Sequence, residues 1–489
     1  MPPAPPRAAV RRVGGRAVGG ALLVAALGPA CDRPCVGVGC AEDFAVALVT
    51  VQQGGPTLRG VQRSPLDAWG GVEGTIALGP DWSLLIGDGV LLAGVPAEGA
   101  VRAYPLSAGA WVPAEEAAGS LRDGSAVAAF GSAIDRLADI DGDGVDELIV
   151  GAPEGTASAD GRREGRVHVI SGGVSGFGAA EPVAERSLAT LVGAGVGDGL
   201  GGVVAGCGDL DGDGVPDVAV AGPLADGALP LVGRVAVLPG ASRGTVDAAT
   251  LRHSWTGVSV GERAGTALAC QHDLTGDGLA DLVVGAPFAD GVQEAEGALY
   301  ILAGGALPVA GALSLRARLV RAGLGAQFWF GWSVATGDLD GDGRAELVAG
   351  APGAFDGRGL VLVWPGDRAA DGDAALAPIR IFGEQPGDGF GSTVAVADLD
   401  GDGFGDLAVG APRRNPSPDA AAQSFDAGAL YLFAGAAGLR SFRPTLDASA
   451  ADTILEDPQQ YLRTGRRAAA GDLDGDGIDE LALLHRSSP

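Results

Sequence analysis

Short apolar runs alternating with glycine-rich punctuation dominate this chain. Five runs share one form: "LIVGAP" from Leu148, "VAVAGP" from Val218, "LVVGAP" from Leu282, "LVAGAP" from Leu347 and "LAVGAP" from Leu407. After a variable loop, each is followed by a second run opened by glycine, as in "GRVHVISG" at 165–172 and "GALYLFAG" at 428–435. A weaker third segment such as "RSLATLVG" precedes the next unit, and a short stretch such as "GWSVATGD" or "GSTVAVAD" leads into each run. Runs this short, bounded by Gly and Pro, predict strands and turns, with four strands in each unit.

Six stretches of one acidic pattern lie between the lead-in segment and the main run: "DIDGDGVDE" from Asp139, "DLDGDGVPD" from Asp209, "DLTGDGLAD" from Asp273, "DLDGDGRAE" from Asp338, "DLDGDGFGD" from Asp398 and "DLDGDGIDE" from Asp472. Their starts are 60 to 74 residues apart, the spacing of one supersecondary unit. A seventh unit stands upstream without acids: "LLAGVP" at 91–96 and "GAVRAYPL" at 99–106 keep the strands, while Trp82, Leu84 and Ile86 occupy the ligand positions. The last unit stops after "LALLHR", and an unpaired strand-like segment, "DFAVALVTVQQGG" at 43–55, stands before the first. The expectation is an all-β, seven-bladed β-propeller with four-stranded blades, closed by N-terminal strands completing the last blade.

In each acidic loop, carboxylates at positions 1, 3, 5 and 9 converge if the chain curls tightly, and the glycines at 4 and 6 accept the positive φ that the curl requires. Hard oxygen donors with a backbone carbonyl at position 7 describe a Ca²⁺ site; Mg²⁺ prefers to keep its water, and Zn²⁺ prefers His or thiolate. The expected ligand sets are Asp139, Asp141, Asp143, Val145 and Glu147; Asp209, Asp211, Asp213, Val215 and Asp217; Asp273, Thr275, Asp277, Leu279 and Asp281; Asp338, Asp340, Asp342, Arg344 and Glu346; Asp398, Asp400, Asp402, Phe404 and Asp406; and Asp472, Asp474, Asp476, Ile478 and Glu480. Up to six structural ions follow, with the Asp273 loop the weakest because Thr275 replaces a carboxylate. An EF-hand needs a bidentate Glu at position 12, where this chain has Val150, Val220, Val284, Ala349, Val409 and Leu483. The loops therefore join strands rather than helices.

A formal charge of −28 argues against nucleic acid as a partner, and 47% hydrophobic residues argue against acidic disorder. Residues 1–30 carry Arg7, Arg11, Arg12 and Arg16 ahead of an apolar stretch too short to span a bilayer, which reads as an export signal. The segment "LGPAC" ending at Cys31 resembles the lipobox of bacterial lipoproteins, which implies lipidation of Cys31; plain secretion is the other outcome. Residues 31–42 form a tether and 43–489 the propeller. Cys35 and Cys40 pair by position in an oxidising compartment, as do Cys207 and Cys270, which are alternatively two buried thiols.

The repeats resemble FG-GAP repeats, the units of the integrin alpha-subunit N-terminal propeller. "FG" stands at Phe130-Gly131, Phe330-Gly331 and Phe390-Gly391, and "GAP" begins at Gly151, Gly285, Gly350 and Gly410. The resemblance implies Ca²⁺ loops on one face of a propeller and partner binding on the other. Integrin function does not carry over, because six metal loops exceed the usual number and no leg domains or membrane helix follow; bacterial secreted proteins with these repeats are nearer. The expected role is an exported, calcium-stabilised binding or adhesion module for an extracellular or envelope protein or glycan. It is expected to be a monomer, tethered to the cell envelope through Cys31 or secreted. Candidate contacts on the far face are Phe328, Trp329, Arg413, Arg414 and Phe425, although "QFWFGW" reads more readily as packing between blades and the two arginines also read as solvated. A hydrolase or lyase at the central channel is the alternative, but the four histidines, His168, His253, His272 and His485, are widely separated and no HExxH or nucleophile elbow occurs.

Overall fold

Glycine-bounded runs do form strands, because β-branched and aromatic side chains suit a pleated surface buried on both sides. The computed structural model describes most of residues 83–484, with two short strands at 49–52 and 57–59; residues 1–48, 60–82 and 485–489 and several connecting stretches lie outside it. The signal and tether segments with Cys31, Cys35 and Cys40, together with Trp82, Phe425 and His485, therefore lie outside the described residues.

The fold is all-β and propeller-like, and seven sheets are found among the described residues. The first contains Leu84–Gly87, Val90–Val95, Ala100–Ser107 and Gly119–Arg122, and the second Ala133–Leu137, Glu147–Ala152, Arg166–Ile170 and Ser187–Val192. The third has Val203–Gly206, Val218–Gly222, Arg234–Leu238 and Ser254–Thr256, and the fourth Ala267–Ala269, Leu282–Ala286, Ala298–Leu302 and Arg318–Arg321. The fifth has Ser333–Gly337, Glu346–Ala351, Leu360–Trp364 and Ile379–Phe382, and the sixth Thr393–Ala397, Asp406–Ala411, Ala429–Phe433 and Thr453–Glu456. Successive strands within each of these sheets pair antiparallel, for example Val348 opposite Val363. The seventh sheet holds Arg467–Gly471 and Glu480–Leu484 with the N-terminal strands Val49–Gln52 and Thr57–Arg59. Val49–Gln52 pairs parallel to Glu480–Leu484, whereas third strands elsewhere are antiparallel to the second.

The second strands of the second to sixth sheets are buried along their whole length, since both faces meet a neighbouring sheet. Six apolar clusters fill the spaces between consecutive sheets, from Leu92, Phe130 and Val150 between the first and second to Leu432, Leu455 and Leu481 between the sixth and seventh. The first strand of each sheet lies against that of the next, and Leu84–Gly87 of the first sheet also lies against Arg467–Gly471 of the seventh.

The FG and GAP glycines have one physical purpose. A Cβ on Gly350 would lie 2.0 Å from the Gly391 carbonyl oxygen, and Gly391 itself has φ +88°. The Gly391 amide donates to the Gly410 carbonyl at 3.0 Å, and its own carbonyl accepts from the Ser333 hydroxyl at 2.8 Å. One turn thus stitches the fifth sheet to the sixth at a separation no side chain would allow. The preceding Phe390 is fully buried, edge-on to Tyr431, and Phe130 and Phe330 fill the equivalent places.

Sequence reading did not anticipate a set of latches. Glu181–Pro182, Gly244–Asp247, Gly311–Ala312 and Thr445–Asp447 each leave their own unit and add parallel to the outer strand of the preceding sheet. Each runs into a single helical turn, and the edges of the first, second, third and fifth sheets are covered in this way. Cys207 and Cys270, which follow the first strands of the third and fourth sheets, form a disulfide with Cα atoms 4.8 Å apart.

Candidate metal centres

Each acidic loop connects the first and second strands of a sheet. Five of them bring three carboxylates together, with one oxygen from each within 4.8 Å of the others: Asp139, Asp141 and Glu147; Asp209, Asp211 and Asp217; Asp273, Asp277 and Asp281; Asp338, Asp340 and Glu346; Asp398, Asp400 and Asp406. The sixth loop lies mostly outside the described residues, including Asp474, Asp476 and Ile478.

The loop backbone organises the carboxylates. In the first loop the Gly142 and Gly144 amides donate to Asp139 at 2.6 and 2.9 Å, with φ values of +82° and +86° that only glycine adopts readily. These bonds hold the Asp139 carboxyl below the usual range. Asp143 accepts from the Val145 amide at 2.8 Å and stands outside the three-carboxylate group, and Asp213, Asp342 and Asp402 do the same in their loops. In the third loop the Thr275 hydroxyl donates to Asp281 and Asp277 joins the group instead, so the substitution shifts the donor set without emptying it.

The position-9 carboxylate is buried in all five loops. It accepts from the position-2 amide, as from Leu210 to Asp217 at 2.9 Å and Leu399 to Asp406 at 2.8 Å. In four of the five its other oxygen accepts from the glycine that closes the third strand: Gly240 to Asp217, Gly304 to Asp281, Gly366 to Glu346 and Gly435 to Asp406, at 2.8–2.9 Å. The sequence did signal this second anchor, through the glycine ending each "xPG" or "xAG" run. Burial pushes Glu147, Asp217, Glu346 and Asp406 up to about 7, against the opposing backbone hydrogen bonds and reinforced by the neighbouring aspartates. Burial also raises Asp281. Glu147 Oε1 is buried without a hydrogen-bond partner. Among the described residues the position-9 carboxylates make no ion pair with a basic side chain, and a hard divalent cation would supply the missing charge, so the donor set fits Ca²⁺.

Antiparallel pairing places the loops between second and third strands, and the turns before each first strand, at the opposite ends of the sheets from the acidic loops. An aromatic cluster lies at that end: Phe288 is 6.3 Å from Trp329 and 6.0 Å from Trp332, with the Arg263 guanidinium 4.9 Å over the Phe288 ring. Trp329 has φ +55°, an unfavourable conformation for a non-glycine residue. The other expected contacts separate. Phe328 is buried at 7% exposure in the core between the fourth and fifth sheets, Arg414 pairs with Glu384 at 2.8 Å beneath Tyr431, and Arg413 is half-buried beside Gly389. His272 lies between the fourth and fifth sheets, its Nδ1 2.9 Å from the Thr336 hydroxyl, and burial lowers its pKa.

Residues 130–170, 265–302, 330–364 and 390–433 match the FG-GAP repeat family. These segments belong to the second, fourth, fifth and sixth sheets, and the third sheet, with Leu200 and Ala221 in place of the FG phenylalanine and the GAP alanine order, is not matched. Rat phosphatidylinositol-glycan-specific phospholipase D is 34% identical over 174 residues, 32% of this chain and 19% of the enzyme. Mouse integrin alpha-IIb is 37% identical over 157 residues, 31% of this chain and 14% of the integrin, and Drosophila integrin alpha-PS5 is 35% identical over 167 residues, 33% and 16%. The matched segments thus span less than a fifth of these relatives. Among solved structures, a chain of Kuenenia stuttgartiensis hydrazine synthase overlaps 78% of this chain and 96% of its own length at TM-score 0.40 and 13% identity.

Proposed function

We propose that this chain of FG-GAP repeats, homologous to integrin alpha subunits over about a third of its length, is an exported, Ca²⁺-stabilised binding module built as a closed seven-bladed propeller. The observation that carries the reading is the recurrence of one buried, backbone-anchored carboxylate group at the same corner of five sheets, with the connecting loops at the other end free to differ. Ions there join the first-to-second-strand loop to the end of the third strand, so they act as rivets and leave the opposite end for recognition.

Export is supported by the Cys207–Cys270 disulfide, which an oxidising compartment maintains. Lipidation at Cys31, a monomeric state and a protein or glycan ligand complete the proposal. On the ligand-facing end, Phe288, Trp329 and Trp332 offer rings at which a sugar or an apolar side chain can stack. The test is binding of envelope glycans and envelope proteins to the immobilised protein in Ca²⁺ and in EGTA, with Trp332→Ser as control. Saturable capture that requires Ca²⁺ and falls at least tenfold in the variant is expected. Chemical turnover of the captured molecule, or capture indifferent to both chelator and variant, contradicts the proposal.

A further inference from the structure

A cavity of about 500 Å³ lies at the outer edge between the first and second sheets, and no acidic-loop carboxylate lines it. Its charged lining comes from both sheets. Arg122 and Asp123 end the outer strand of the first, and Arg166 and His168 lie on the third strand of the second. The strand register places His168 opposite Thr190 and Arg166 opposite Val192. The latch Glu181–Pro182 and the turn Val183–Glu185 roof it, Pro182 pairing with Arg122.

Three of the buried side-chain polar atoms without a partner among the described residues surround this one cavity: Arg166 Nε, His168 Nε2 and Asp123 Oδ2. His168 is only 4% exposed. Its Nδ1 is engaged by the Thr190 hydroxyl at 3.2 Å and its ring is edge-on to Phe130, which leaves Nε2 aimed at the space. At the equivalent strand position the third, fourth, fifth and sixth sheets carry Ala236, Tyr300, Leu362 and Tyr431, each buried in the core against the preceding sheet. His168 is polar where these pack against apolar neighbours, and two arginines line the space beside it. Buried polar atoms in native proteins find a partner, so three orphans around one cavity mark a place for a ligand's own polar groups.

We propose that this cleft binds a small monoanion bearing a carboxylate and hydroxyl groups, of the sugar-acid class. Two guanidiniums and one carboxylate, with a neutral imidazole, give the site a single net positive charge. A carboxylate suits the planar guanidinium of Arg166 or Arg122. Asp123 has only acceptors to offer, so it selects a hydroxyl donor and repels a phosphate dianion. Pro182, Val183 and Val192 provide an apolar wall for the C–H face of a ring, and the volume lies within the range of small-molecule sites.

Titration calorimetry of the full chain with galacturonate, with galactose as the neutral isostere, tests this. One site per chain is expected, with galacturonate binding at least tenfold more tightly than galactose. Arg166→Met and Arg122→Gln should each weaken galacturonate binding at least tenfold; Arg122 is exposed, so its variant reports on binding without risk to folding. The His168 side-chain ¹⁵N resonances should shift on addition of the acid. Tighter binding of a galacturonate pentamer than of the monomer assigns the source to an acidic polysaccharide chain, and equal binding assigns it to the free acid. Equal affinity for the acid and the neutral sugar, no heat from either, or unchanged binding in Arg122→Gln overturns the proposal and leaves a water-filled cleft.

Discussion

Asp217 separates the two roles of the position-9 carboxylate, anchoring backbone and holding an ion. It is fully buried and accepts from the Leu210 amide at 2.9 Å, the Asp211 amide at 3.2 Å and the Gly240 amide at 2.9 Å. Asp217→Ala leaves these three donors without an acceptor, and at about 1 kcal/mol for each the loss is about 3 kcal/mol with or without metal. Asp217→Asn retains one acceptor oxygen but sets its NH2 against one of the amide donors, so in EGTA it should cost about 1–2 kcal/mol, less than Asp217→Ala. In Ca²⁺ it falls further behind the parent. At a free concentration one hundred times the dissociation constant, one site contributes about 2.7 kcal/mol, and Asp217→Asn forfeits most of it. Urea denaturation midpoints measured for parent, Asn and Ala in EGTA and in Ca²⁺ give the comparison. A calcium increment in Asp217→Asn equal to that of the parent refutes the assignment of Asp217 as a ligand, and an unchanged midpoint for Asp217→Ala in EGTA refutes the backbone role.

Other consequences are as direct. Gly350→Ala forces a Cβ to within 2.0 Å of a backbone oxygen and should cost about 3 kcal/mol, whereas Gly343→Ala, at φ +81° but in open space, should cost about 1–2 kcal/mol; paired thermal melts compare them. Cys207 and Cys270 are 63 residues apart, so replacing both by Ser should cost roughly 4 kcal/mol by loop entropy, and equal melting of the variant and the oxidised parent contradicts this. Burial, with the Arg166 charge adding to it, lowers His168 to about 4. Because the unfolded chain binds the imidazole proton more readily, the His168 contribution to stability should be constant above pH 6.5 and fall as pH drops towards 4, by up to about 3 kcal/mol, opposite in sign to the contribution of the buried carboxylates raised to about 7. His168→Gln should flatten that limb in urea titrations at pH 7 and pH 4.5, and an identical slope in the variant excludes the imidazole as its source.

Much of the architecture is legible in the residues because the repeats restate it. Acidic loops at regular spacing, the GAP turn and the glycine-opened third strand each recur often enough to locate strands, and the acid-less first unit is recognisable from Leu91 to Leu106 by its strands alone. The pairing of Cys207 with Cys270 was one of two open readings, and the structure decides it. Features that depend on backbone alone leave no such trace. The two-residue strands Glu181–Pro182 and Gly311–Ala312 have no hydrophobic period, so only their neighbours reveal them. The parallel pairing of Val49–Gln52 with the last sheet was invisible for the same reason, since composition reports a strand but not its direction. Asp198, Glu262 and Asp388 went unremarked as surface acids, yet each is buried and caps turn amides, with Tyr300 also donating to Glu262. The cleft at His168 likewise shows only once the equivalent Tyr300 and Tyr431 positions are seen to be buried in the core.

The most direct measurement is calcium stoichiometry, by equilibrium dialysis followed by elemental analysis of the protein, alongside its melting temperature in Ca²⁺ and in EGTA. Five carboxylate groups and a sixth loop of the same sequence predict five to six ions per chain and a large drop in melting temperature when they are removed. A chain that retains no calcium and melts at the same temperature in chelator would contradict the riveted propeller.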